Sequence, residues 1–392
     1  MSFKSVFVLS STFLFGFATF FVGSLQSEDQ VSKVLKREHG GWSIEYLQNS
    51  VTLSQATAIN ADGAMIGFKE VPNENLTIFR SVYFYCGKNG DCKEVPMPKG
   101  FTNVEATAIS NTNLVVGRAT RPMGAEDGSL RAFVWDTKKP ELQMLPRPEK
   151  DTLGDAHSIS ADGTRITGYS TGFERLRPTV WIWDAKKSEW TVTVLPTLHE
   201  YNPYLMSAQL IISPDGKTIV GCCTEQFLPD GTIDSALYVW REENGQWKRD
   251  LVTKEQLYVK AINNKGQIAG SVAAQHGRLP CIATLEGQIK MLDLLEGDVG
   301  GEARGINEQS VIVGWSDDPH GPDGGPVPCT WTMEGKVTKI ELSESGFGAV
   351  FGINEKGQIA GGGEVSYKAE AAKADDEEEA AMLAFRATKK SN

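Results

Sequence analysis

Seven stretches of this chain carry one motif in phase. They are residues 56–67 (ATAINADGAMIG), 106–117 (ATAISNTNLVVG), 156–168 (AHSISADGTRITG), 209–221 (QLIISPDGKTIVG), 260–270 (KAINNKGQIAG), 303–314 (ARGINEQSVIVG) and 350–361 (VFGINEKGQIAG). The marker isoleucines, Ile59, Ile109, Ile159, Ile212, Ile262, Ile306 and Ile353, lie 50, 50, 53, 50, 44 and 47 residues apart. A glycine closes each copy eight or nine residues after its isoleucine, from Gly67 to Gly361. Such a period constrains the fold more than composition does, because each unit must bury its apolar faces against its neighbours.

Each copy reads as two short strands around a tight turn of Asp-Gly, Lys-Gly or Asn-rich type, chosen for positive φ. An aromatic strand follows in most repeats: 82–85 (VYFY), 132–135 (AFVW), 180–183 (VWIW), 237–240 (LYVW) and 330–333 (TWTM). A polar turn then leads to a fourth strand that stops at an apolar-Pro or similar signal, as in 142–146, 192–196 and 289–292. The 40 glycines and 17 prolines supply the many turns this needs. Four-stranded antiparallel units at this period predict an all-β chain, a seven-bladed β-propeller. The seventh copy ends without a fourth strand, and residues 42–47 (WSIEYL), ahead of the first copy, resemble one. Pairing the two would close the ring and leave no exposed blade face. The predicted organisation is a leader at 1–25, a linker at 26–40, and one propeller at 41–392 with an acidic loop insertion at 364–381.

The repeats resemble the bacterial HAF-type extracellular repeat family. Residues 153–169 (LGDAHSISADGTRITGY) and 131–136 (RAFVWD) match its pattern best, and the resemblance covers roughly residues 50 to 387. The fifth and seventh copies depart from it, with CIATL at 281–285 and LAFR at 383–386 in place of the tryptophan segment. The resemblance implies export, and it brings no established catalytic residues.

The N-terminus supports export independently. A short positive region is followed by an uncharged apolar run at 6–23, and then by Glu28 and Asp29. This reads as a secretory signal or, since the run is near bilayer length, as a retained anchor. A periplasmic or extracellular location follows, with membrane contact only through that segment if it is uncleaved. The oxidising setting allows disulfides. Cys86 and Cys92 flank an Asn-Gly turn signal and are expected to face each other and pair. Cys281 and Cys329 each follow a proline at equivalent repeat positions, and either pair or stay free; Cys222 and Cys223 are unassigned.

Net charge is −11, which argues against nucleic acid as a partner. Long connections between the second and third strands of each repeat (69–80, 119–130, 224–234, 316–326, 362–380) fall on one face, where binding usually resides. The candidate site residues lie at its mouth. Glu105, Asp155 and Glu302 directly precede innermost strands, and could hold a divalent cation or a basic partner if they converge; solvated rim charge is the plainer reading. Asp317, Asp318 and His320 crowd the sixth connection. His157 reads as a packed histidine. Trp135, Trp183, Trp240 and Trp331 recur near one repeat position and read as packing between blades, with sugar stacking as the alternative. No cofactor is called for. The expected function is a non-catalytic, monomeric binding or interaction module taking a protein or glycan. A hydrolase or lyase acting on polysaccharide or lactone at the central channel is one alternative, and a scaffold within an envelope complex is another.

Overall fold

The computed structural model describes residues 33–390, apart from 49–52, 73–78, 123–128, 173–174, 198–208, 228–232, 276, 318–324, 344 and 368–378. The leader expected at 1–25 lies outside the described residues. Among them no helix is long and apolar enough to cross a membrane.

The described residues form seven antiparallel blades. Two strands come first, β1 (Lys33–His39) and β2 (Trp42–Gln48). Blade 1 is β3 (Ser54–Ile59), β4 (Met65–Pro72), β5 (Phe79–Cys86) and β6 (Cys92–Glu94). Blade 2 is β7 (Asn103–Ile109), β8 (Leu114–Thr120), β9 (Leu130–Asp136) and β10 (Gln143–Met144). Blade 3 is β11 (Asp151–Ile159), β12 (Arg165–Gly172), β13 (Arg175–Asp184) and β14 (Glu189–Val194). Blade 4 is β15 (Ile211–Ile212), β16 (Thr218–Phe227), β17 (Ile233–Glu243) and β18 (Gln246–Thr253). Blade 5 is β19 (Leu257–Ile262), β20 (Ile268–Ala274), β21 (Gly277–Ala283) and β22 (Ile289–Met291). Blade 6 is β23 (Gly300–Ile306), β24 (Ile312–Asp317), β25 (Pro326–Trp331) and β26 (Val337–Lys339). Blade 7 contributes β27 (Gly348–Ile353), β28 (Ile359–Tyr367) and β29 (Glu379–Lys389).

Ring closure follows the sequence expectation. Strand β2 pairs antiparallel with β29, Trp42 opposite Lys389 and Tyr46 opposite Phe385. Ile44 and Tyr46 are fully buried there, and the Tyr46 hydroxyl donates to the Leu342 carbonyl at 2.9 Å. Blade 7 is in turn fastened to blade 1. Ala384 N–H donates to Ser54 Oγ at 2.9 Å, and Arg386 donates to the carbonyls of Gly63 and Lys88 at 2.6 and 3.0 Å.

One stretch departs from the expected organisation. Residues 33–39, read as linker, form β1, which pairs along its length with β2 and makes blade 7 five-stranded. KVLKREH shows no clean alternation, so periodicity misses it. An outer edge strand needs only backbone partners, and its charges keep a further chain from adding to the sheet. The acidic insertion is likewise shorter than expected: Glu364–Tyr367 and Glu379–Met382 continue the β28/β29 ladder, and residues 368–378 lie outside the described residues.

The closing glycines have a steric explanation. In six blades the innermost strand carries an irregularity, between Ala56/Ala58, Ala106/Ala108, Ala156/Ser158, Val259/Ala261, Ala303/Gly305 and Val350/Gly352. Each bulge lets the strand's backbone press on the second strand opposite. A Cβ on Gly67, Gly117, Gly168, Gly314 or Gly361 would lie 1.8–2.1 Å from a carbonyl oxygen of that innermost strand. Only glycine tolerates such an approach.

The residue after each marker isoleucine locks the opposite face. Asn60, Ser110, Ser160, Ser213, Asn263, Asn307 and Asn354 are all buried. Their side-chain oxygens accept from turn amides, as Asn60 does from Asp62 and Ala64. The asparagines also reach the next blade: Asn60 to the Ser110 carbonyl, Asn263 to Asn307, Asn307 to Asn354, and Asn354 back to Asn60 across the closure. Buried amides satisfied in this way fix four of the blade boundaries, including the closure.

The tryptophan row belongs to packing. Trp135, Trp181, Trp240 and Trp331 are 0–2 % exposed. Three of these indoles donate across a blade boundary: Trp181 to the Pro146 carbonyl, Trp240 to Pro196 and Trp331 to Asp293, at 2.7–2.8 Å. In blade 3 the equivalent residue is Trp181, not Trp183. Position is set by the ladder to the closing glycine, and the connection between those two strands varies in length. Replacing Trp181 with Phe should lower stability by about 1–3 kcal/mol, through the stranded Pro146 carbonyl and lost contacts, as read from urea unfolding midpoints.

Cys86 and Cys92 are directly opposed across the β5/β6 hairpin and form a disulfide, with Cα atoms 4.0 Å apart. Cys281 and Cys329 do occupy equivalent positions, each opposite its blade's closing glycine, where blades 1, 2, 4 and 7 have Phe84, Phe133, Tyr238 and Phe385. They are buried and in no disulfide, and so are Cys222 and Cys223.

Candidate functional site

The six bulges do more than accommodate glycine. Each leaves one residue without a ladder partner: Thr57, Thr107, His157, Lys260, Arg304 and Phe351. A bulge re-aims its side chain, and bulges recur beside functional sites. These residues sit on the innermost strands, around the central channel of the ring. The residues on either side of them are small or apolar in every one of the six (Ala, Val, Ser or Gly), whereas they are two threonines, a histidine, a lysine, an arginine and a phenylalanine. Two charged clusters are built on this ring.

The first spans blades 2 and 3. Arg118 on β8 donates to Glu105 Oε2 at 2.6 Å and to Asp155 Oδ2 at 2.9 Å. His157 Nδ1 accepts the Leu210 amide at 3.0 Å, which leaves Nε2 turned to Asp155 Oδ2 at 3.5 Å. The Tyr169 ring packs edge-on to that imidazole at 4.7 Å. Asp155 is 1 % exposed. Burial pushes its carboxyl up, but His157 and Arg118 outweigh burial and hold it below the usual aspartate range. Burial, followed by the Asp155 charge, pushes the Tyr169 hydroxyl up. Burial works against the Arg118 charge, and Asp155 and Glu105 more than restore it.

The second cluster spans blades 5 and 6 and centres on Glu302, 4 % exposed. Its Oε1 takes Arg278 at 2.5 Å, Ser271 Oγ at 3.3 Å and Lys260 at 3.8 Å; its Oε2 faces Arg304 Nε at 3.1 Å. Arg278 lies over the Tyr258 ring at 4.0 Å, and Arg304 over Trp315 and Phe351 at 5.0 and 4.8 Å. Burial raises the Glu302 carboxyl, and Arg304, Lys260 and Arg278 overcome this and hold it low. Burial, with Arg304 adding to it, pulls Lys260 down to about 8.

The structure therefore brings Glu105 and Asp155 together on one arginine and places Glu302 in a separate cluster. Asp155 and Glu302 are buried within ion pairs, not solvated on a rim. Asp317 ends β24, paired with Gly300 and Pro326. Asp318 and His320 lie outside the described residues. Among the described residues no three His, Cys, Asp or Glu side chains are grouped to hold a metal ion. Sequence reasoning missed the cations Arg118, Lys260, Arg278 and Arg304. A signal was present for two of them. Lys260 and Arg304 fall two residues before the marker isoleucine in consecutive repeats, where the first two repeats have threonine.

These charges predict a pH profile of stability. A carboxylate whose folded pKa lies below its unfolded value contributes stability that is complete above the unfolded value and lost as pH falls through the folded one. Urea midpoints should therefore fall as pH drops below about 4.5 and then about 3.8, the ordinary values for Glu302 and Asp155. Lys260 has the opposite sense. Its folded pKa of about 8 lies below 10.5, so between these values the unfolded chain binds the extra proton and stability rises with pH. Wild type should gain on Lys260→Met across that window, and a constant difference would contradict the assignment.

No protein-family profile matches the chain, and no curated protein matches it. Solved structures do resemble it. The β-propeller domain of the Trilobed protease from Pyrococcus furiosus, described as having an open velcro topology, is 12% identical with a TM-score of 0.52 over 86% of this chain and 94% of that one. Pyrococcus horikoshii acylaminoacyl peptidase is 12% identical with a TM-score of 0.52 over 85% of this chain, which spans only 52% of the peptidase. At these identities the likeness is one of fold. The class established by architecture and comparison together is the seven-bladed β-propeller.

Proposed function

We propose that this chain is an exported, non-catalytic binding propeller that takes a protein or glycan ligand in its central channel, flanked on one face by the long connections between second and third strands. The observation that carries this reading is the bulge ring. Six side chains vary while the scaffold around them repeats, the arrangement of a rigid frame presenting a specific surface. The state of the carboxylates argues in the same direction. The acidic candidates for a polysaccharide hydrolase or lyase reaction, Asp155 and Glu302, are held charged by arginine, histidine and lysine, able to accept a proton but not to donate one. The Cys86–Cys92 disulfide fits an oxidising compartment, in keeping with the apolar leader and the resemblance to HAF-type repeats.

The test is capture from envelope extracts and glycan arrays by the full chain. Wild type should retain a discrete ligand. A variant changed at Thr57, Thr107 and Phe351 should lose it while its circular dichroism and unfolding midpoint stay close to wild type. Equal capture by both, or turnover of a polysaccharide or lactone by wild type, would overturn the reading.

A further inference from the structure

The two charged clusters differ in balance. Around Arg118 stand two carboxylates and a histidine whose Nδ1 already accepts a hydrogen bond. Around Glu302 stand three cations and a single carboxylate, an excess of two positive charges in a half-buried wall. Like charges with little water between them repel strongly, so a protein that only needed to neutralise Glu302 would use one cation. The donors are also underused. Arg304 Nε is buried and pairs with Glu302 Oε2 at 3.1 Å without the alignment of a hydrogen bond, although an arginine carries five N–H donors. Lys260 reaches Glu302 only at 3.8 Å. The cations are not sealed away: the Lys260, Arg278 and Arg304 side chains are 14, 27 and 25% exposed, and two of them project from bulges on innermost strands. Tyr258, Trp315 and Phe351 hold the two guanidinium planes in place by ring contact, so their donors are ordered in advance.

We propose that the channel wall between blades 5 and 6 is an oxyanion site, in which Lys260, Arg278 and Arg304 receive a phosphate or carboxylate group of the ligand. A dianion would bring the wall to neutrality, and a planar or tetrahedral oxyanion suits paired guanidinium donors. Glu302 is the orienting group: it fixes the three cations in one place and keeps them from binding anions indiscriminately. The depressed pKa of Lys260 agrees, since an added anion would draw it back up. This deepens the binding reading by naming one ligand group, and it has its own test. A capture experiment can fail for want of the natural partner, whereas a titration with small ions reads the wall directly.

The experiment is thermal unfolding and calorimetric titration of the full chain with inorganic phosphate, and separately with acetate and with oligogalacturonate, at constant ionic strength balanced by chloride. Wild type should bind at least one of these oxyanions, with stabilisation rising with the logarithm of concentration. Tighter binding of phosphate assigns a phosphoryl ligand, and tighter binding of the carboxylates assigns an acidic glycan or carboxylated ligand. Lys260→Met should weaken binding at least about tenfold, the loss of one charge-assisted hydrogen bond. Arg278→Met, on the more exposed third strand, should do the same and serves if Lys260→Met folds poorly. Lys339→Met, on the outermost strand of blade 6, should bind as wild type. No stabilisation of wild type by any of the three ions beyond that of chloride, or binding equal to wild type in Lys260→Met and Arg278→Met, would overturn the proposal.

Discussion

A chain lacking residues 33–48 should lose the whole ring, not one blade. Those residues include β2, the fourth strand of blade 7, and the three residues Trp42, Ile44 and Tyr46 that lie in the core shared by blades 6 and 7. Truncating a single buried side chain of this size costs about 2–5 kcal/mol. Removing the strand strips several at once, exposes the apolar flank of β29, and breaks the Tyr46 bond to Leu342. The total matches or exceeds the ~5–15 kcal/mol by which domains are usually stable. Removing only residues 33–40 should cost far less, because β1 is an outer edge strand whose contacts beyond β2 are few: Arg37 to the Ser366 carbonyl, Glu38 to Lys390, and the partly buried Val34 and Leu35. Circular dichroism and urea unfolding of the two deletions separate the cases. Equal midpoints for the longer deletion and wild type would show that the strand is not part of the closed fold.

The second large effect concerns the closing glycines. A Cβ at Gly117 would sit 1.8 Å from the Glu105 carbonyl oxygen and 2.9 Å from its carbon. Both are backbone atoms of the bulged strand, so no side-chain rotation relieves the clash. Gly117→Ala should cost about 3 kcal/mol or more and disturb the Thr107 bulge beside it. Gly221→Ala should be milder, since its nearest obstacle is the Leu210 side chain, and Gly154→Ala milder still, with nothing closer than 3.5 Å. The ranking Gly117, Gly221, Gly154 in urea midpoints is the expected result. Equal tolerance at Gly117 and Gly154 would remove the steric account of the motif.

The architecture was legible because it is written seven times. Ile59 and its six equivalents set the period, and the surplus strand at 42–47 set the closure. The Cys86–Cys92 pairing was legible for a local reason, a turn signal between two cysteines. What escaped was whatever depends on contacts between blades. Trp183 looked like the recurring tryptophan position because it ends a run resembling AFVW, but the Gly168–Thr179 ladder makes Trp181 the packed residue. Glu105, Asp155 and Glu302 were visible as carboxylates near the channel. Their fate depended on Arg118, on the second strand of Glu105's own blade and reaching Asp155 in the next, and on Arg278, on the third strand of the blade before Glu302. The bulges were hidden too, since a one-residue irregularity leaves the same residue types in place. They are nevertheless what aims Lys260 and Arg304 together.

The central claim is that this chain closes its seventh blade with a strand from its N-terminal end. Ser43 and Thr388 lie directly opposite each other across β2 and β29, a juxtaposition that puts Cα atoms about 4.5–5.5 Å apart, within reach of a disulfide. The most direct measurement is oxidation of the folded Ser43→Cys, Thr388→Cys double variant, with the product read by peptide mapping. The closed ring predicts near-complete linkage of the 43 and 388 peptides in the folded protein and little in denaturant. A folded protein whose two new thiols stay free would contradict it.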